Sequence, residues 1–89
     1  LRLLLLAALL SSAFSIKCYL QLESEDYKGP IRYVECHGLC VTWIMENEDI
    51  WRTCDGSGRC KSSEELTIAM KERNASRASC CAEDLCNYN

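Results

Sequence analysis

Cys80-Cys81-Ala82-Glu83-Asp84-Leu85-Cys86-Asn87-Tyr88-Asn89 places two adjacent cysteines and a third five positions later at the end of the sequence. Neighbouring side chains of an extended chain point to opposite sides, so Cys80 and Cys81 are expected to bond to different partners and pin two segments at one place. Cys81 reaches Cys86 across a tight turn, which leaves Cys80 to hold something remote. All eight cysteines lie between positions 18 and 86, and eight cysteines allow roughly a hundred pairings.

Upstream, Leu1-Arg2 and the apolar run Leu3 to Leu10 precede Ser11-Ser12-Ala13-Phe14-Ser15. A basic residue, a short apolar stretch and small residues together read as a secretory signal peptide over residues 1 to 15, cleaved after Ser15. The run stops near Ser11, short of the roughly 20 apolar residues that a membrane span needs. Of 89 residues, 74 remain after the first 15 are removed, enough for one small domain over 16 to 89. Chains of this size bury too little apolar surface to rely on a core alone. In an oxidising compartment four disulfides are the expected framework. At roughly 3 kcal/mol each, they rival the whole stability of a typical domain.

Without Arg2, nine Lys and Arg face thirteen Asp and Glu, a net charge of −4. Such a balance argues against nucleic acid and against anionic membrane as partners, because both are bound through clustered basic residues.

The pattern Cys-Cys, two residues, Asp, one residue, Cys-Asn over Cys80 to Asn87 resembles the closing signature of the Ly6/uPAR three-finger family. Ile16-Lys17-Cys18-Tyr19 is similar to that family's opening. The resemblance implies a small disulfide-rich all-β fold of the three-finger, snake-toxin-like type. It further implies the pairs Cys18 with Cys40, Cys36 with Cys54, Cys60 with Cys80 and Cys81 with Cys86. Three spans then project from the knot: residues 19 to 35, 41 to 53 and 61 to 79. Leu20 and Gln21 stand where many relatives carry an extra cysteine, so the first fingertip is expected to be looser than in those relatives.

Tyr19 to Leu22 and Ile31 to Glu35 are rich in β-formers and flank a polar stretch with a Gly29-Pro30 break, which predicts a hairpin. Val41 to Met45 and Ile50 to Thr53 flank Glu46-Asn47-Glu48-Asp49 and form the clearest hairpin of the chain. In the third span, Ser62 and Glu65 make a Ser-x-x-Glu capping pattern ahead of strong helix formers, predicting a short helix over 63 to 72. Asn74-Ala75-Ser76 is an N-glycosylation sequon in an expected loop, with Asn74 as the acceptor.

Catalytic and metal readings find little support. Cys36 beside His37, the only histidine, would be a nucleophile only as a free thiolate, and the framework claims that thiol. A phosphate loop needs a strand before it, a helix after it and a Lys at fixed spacing, whereas the Gly56-Ser57-Gly58 loop is bounded at both ends by half-cystines, Cys54 and Cys60, and reads as a turn. Zinc at Cys36-x-x-x-Cys40 with Cys54 and Cys60 is the metal alternative, disfavoured in an oxidising compartment. The expectation is a non-enzymatic, monomeric binding module without cofactor or metal.

The contact surface is placed on the second hairpin, at Trp43, Met45, Glu46, Glu48, Asp49, Trp51 and Arg52, because tryptophan is enriched at interface hot spots. If both tryptophans share a face, at least one edge should stay accessible; packing of one ring against the sheet is the alternative. The resemblance implies an extracellular receptor or ion channel as partner, although an acidic tip differs from the cationic tip of receptor-blocking toxins. A soluble growth-factor-binding ectodomain, similar to those of activin and bone morphogenetic protein receptors, is the second reading. Only Asn87-Tyr88-Asn89 follow Cys86, which is too little for a lipid-anchor signal, so a freely secreted protein is expected.

Overall fold

The computed structural model describes residues 15–88; apart from Ser15, the expected signal peptide lies outside the described residues. Five strands make one antiparallel sheet: β1 (Ile16–Glu23), β2 (Arg32–Cys36), β3 (Cys40–Met45), β4 (Ile50–Cys54) and β5 (Ala75–Cys81), in the order β2-β1-β4-β3-β5. One helix, α1 (Ser63–Arg73), precedes β5, and single 3₁₀ turns cover Arg59–Lys61 and Cys86–Tyr88. The fold is therefore small, disulfide-rich and dominated by β-structure.

The β-branched and aromatic run Val41-Thr42-Trp43-Ile44 fits a pleated surface, and β3, like β1 and β4, is paired on both sides, here with β4 and with β5. Strand β5 departs from the expected loop at Ala75 and Ser76. Its Ala and Ser residues have weak strand preference, but six register pairs with β3, from Cys40↔Cys81 to Met45↔Ala75, outweigh it.

Helix α1 begins where the capping pattern places it: the Ser62 hydroxyl accepts from the Glu65 amide at 3.1 Å. Leu66, Ala69 and Met70, at i, i+3 and i+4, form the stripe that faces the sheet. They pack with Val41, Trp43, Met45, Ala75, Ala78 and the Cys60 and Cys80 half-cystines. Asn74 ends the helix in the left-handed region, φ 56°, and its amide donates to the Lys71 and Met70 carbonyls. The Asn74 carbonyl then accepts from the Glu46 amide at 2.9 Å, which fastens the helix end to the β3–β4 hairpin.

Alternation sends Val41, Trp43 and Met45 toward the helix and Cys40 and Thr42 to the other face. There Cys18, Cys36 and Cys40 form a second buried cluster with Ile16, Cys54, Cys81 and Cys86 around it. The disulfides are Cys18–Cys40, Cys36–Cys54, Cys60–Cys80 and Cys81–Cys86, the four pairs implied by the resemblance. Buried Asn87 locks this face: its Oδ1 accepts from the Tyr19 amide at 2.8 Å, and its Nδ2 donates to the carbonyls of Tyr19, Val41 and Thr53 at 3.1, 3.4 and 3.4 Å.

Candidate functional site

The tip of the β3–β4 hairpin is a short, internally bonded turn. The Met45 amide donates to the Asp49 carbonyl at 2.8 Å and the Glu48 amide to the Met45 carbonyl at 2.9 Å. Glu48 adopts φ 75°, the left-handed position that closes a type I turn with a bulge. Asn47 completes the turn, its Oδ1 accepting from the Asp49 amide at 3.1 Å and its Nδ2 donating to the Asp49 carboxylate at 3.3 Å. Glu46, Asn47 and Glu48 are exposed and Asp49 is half-buried, so the tip presents negative charge on a fixed backbone.

Trp43 and Trp51 stand directly opposite one another in the β3–β4 ladder and so share the face that carries α1. Their environments differ. Trp43 is 2% exposed, lies in the core under α1 and has the Arg73 guanidinium 4.8 Å from its ring centroid. It is a core residue and not a contact residue, because β3 is the strand beneath the helix. Trp51 is 43% exposed, and its neighbour on β1, Leu22, is 39% exposed; α1 packs on β3 and β5 and leaves this pair open.

Arg52 is also displaced from the expected surface. Only 8% exposed, it donates from Nε to the Tyr88 carbonyl at 2.8 Å and from an Nη to Gln21 Oε1 at 3.0 Å, with Glu23 Oε1 at 3.7 Å. Its guanidinium lies over the Tyr88 ring, which itself packs against Tyr19. As the residue next to Trp51 in a strand, Arg52 points to the opposite face, and there it ties β4 to β1 and to the C-terminal turn. Met45 is half-buried and touches the Trp43 core.

An open groove runs from the tip to the end of α1, lined by Met45, Glu46, Asn47, Asp49, Trp51, Arg73 and Asn74. It brings together four of the seven expected contact residues, Met45, Glu46, Asp49 and Trp51, and omits Trp43, Glu48 and Arg52. Leu22 and Arg73 were not among those expected. Strand alternation through Tyr19-Leu20-Gln21-Leu22 carries the signal for Leu22; Arg73 needs the packing of the helix on the sheet and has no local signal.

The other candidates are occupied by structural contacts. In the Gly56-Ser57-Gly58 loop the buried Asp55 carboxylate accepts from the amides of Arg59 and Cys60 at 2.9 and 2.7 Å. Those amides are what an anion would need, so the loop is a capped turn. Cys36 is bonded to Cys54 and offers no thiolate beside His37. The sulfur atoms of Cys40, Cys81 and Cys86 lie within 4.8 Å of one another, because two disulfides abut at the knot and each sulfur is already paired. Compared with protein-family models, with curated proteins and with solved structures, the chain finds no match.

Proposed function

We propose that the chain is a secreted three-finger binding module that recognises an extracellular receptor or ion channel and modulates it without catalysis. Three disulfide-closed loops leaving one knot support the three-finger reading, and four disulfides suit an oxidising compartment. Among the described residues no helix is long and apolar enough to cross a membrane. The observation that carries the proposal is the exposed pair of Trp51 on β4 and Leu22 on β1, with Glu46 and Asp49 lining the groove beside Trp51. A large aromatic left in water beside a second apolar side chain is the composition of an interface hot spot.

A second reading is favoured by the same geometry. Trp51 lies on the sheet face and not at the tip, which is how the growth-factor-binding ectodomains that this sequence resembles present their apolar residues.

The experiment is to immobilise the folded, oxidised protein and compare retained extracellular proteins for wild type, Trp51→Ala, Leu22→Ala and Glu48→Ala. Retention of a receptor or channel that falls with Trp51→Ala, at a cost of about 2 kcal/mol or more, supports the first reading. Retention of a soluble dimeric growth factor with the same dependence supports the second. Equal retention across the whole series removes this face from both.

A further inference from the structure

We propose that Asn74 carries an N-linked glycan whose first sugars lie in the groove beside Trp51, so that occupancy of this one residue controls access to the contact face. The inference rests on the reading of the Trp51 face as the contact surface and adds its regulation.

Three observations converge on Asn74. Asn74-Ala75-Ser76 is the only Asn-x-Ser/Thr triplet of the sequence. Its backbone has a structural task, capping α1 in the left-handed region and accepting from the Glu46 amide, and that task accounts for an Asn at this position. It does not account for the side chain, which is exposed and makes no hydrogen bond among the described residues. The Nδ2 groups of Asn47 and Asn87, by contrast, are both engaged.

Asn74 and Trp51 line the same groove, about 520 Å³ in volume, within the range of roughly 300–1,000 Å³ that accommodates small molecules. A hexosamine presents one face of C–H groups, and the negative face of an indole is a fitting surface for them. Arg73, Glu46 and Asp49 rim the groove and meet the sugar hydroxyls and acetamide with donors and acceptors. In attachment, Asn74 Nδ2 forms a bond to C1 of N-acetylglucosamine. The C1–O bond to the lipid diphosphate donor breaks, and the amide nitrogen gives up one proton. Transfer precedes folding, so the later hydrogen bond of the Ser76 hydroxyl to the Ile44 carbonyl at 3.2 Å is no obstacle.

The test uses the full chain expressed in a glycosylating secretory host, and the same protein made with glycan transfer inhibited. The expected results are an intact mass that drops on endoglycosidase treatment, and iodide quenching of tryptophan fluorescence at least about twofold weaker in the glycosylated form, since Trp43 is buried and Trp51 supplies the quenchable signal. Trp51→Phe should abolish that difference. Asn74→Gly, which suits the left-handed backbone, and Ser76→Ala, which leaves Asn74 in place, should both give the unglycosylated quenching. A secreted protein of unmodified mass overturns the proposal, as does a glycosylated one with unchanged quenching. If the glycan shields Trp51 while glycan-free Trp51→Ala binds its partner unchanged, the glycan placement stands and the contact-face reading fails.

Discussion

At the scale of single residues, two tryptophans that face each other across one ladder have opposite roles. Trp43→Ala opens a cavity beneath α1 and takes away the platform under Arg73. A loss of about 3–5 kcal/mol is expected, measured as the shift in denaturant midpoint of the oxidised protein. Trp51→Ala should cost less than about 1 kcal/mol by the same measurement, since the ring is nearly half in water. Asn87 is the polar counterpart of Trp43. Asn87→Ala strands one amide and three carbonyls in a buried site at about 1–3 kcal/mol for the first group left unpaired, and hydrogen exchange at the Tyr19 amide should rise with it. That the tryptophans stand on opposite arms of one hairpin was legible in the sequence pattern. Which ring would be covered was not, because that depends on which strand the helix crosses. Arg52 teaches a different lesson: it was expected on the same surface as Trp51, yet strand alternation alone puts the two on opposite faces.

At the scale of elements, the hairpin turn and the helix cap were read from local chemistry, and both lie where the sequence places them. Polar residues at 46 to 49 and Ser62 with Glu65 act within a few positions of themselves, so tertiary context had little to override. Strand β5 was illegible for the complementary reason, since Ala-Ser-Arg-Ala-Ser has no strand preference and is ordered by the β3 edge. One local choice is poor: Glu48 holds a left-handed conformation that strongly favours glycine or asparagine. Glu48→Gly should therefore raise stability by about 1 kcal/mol, read from the thermal or denaturant midpoint, with the sheet unchanged by circular dichroism. An unaltered or lower midpoint would mean that Glu48 contributes more to the tip through charge than its backbone costs.

At the scale of the whole molecule, the disulfide map has a break that the strand diagram hides. Cys18–Cys40 and Cys36–Cys54 lie wholly before the Gly56-Ser57-Gly58 loop, and Cys60–Cys80 and Cys81–Cys86 lie wholly after it. A cut in either hairpin, or between Cys60 and Cys80, falls inside a closed ring and leaves one covalent species. A cut in the glycine loop does not. With a protease sequence inserted between exposed Gly56 and Ser57, cleavage should give two bands on a non-reducing gel, whereas cleavage at 46 to 49 should give two only after reduction. The separated halves are then a heterodimer of fragments, held by the β3–β5 ladder and by α1 on Trp43. Complementation between them turns cohesion of the fold into an ordinary dissociation constant, so that unfolding of the nicked protein becomes dependent on its concentration.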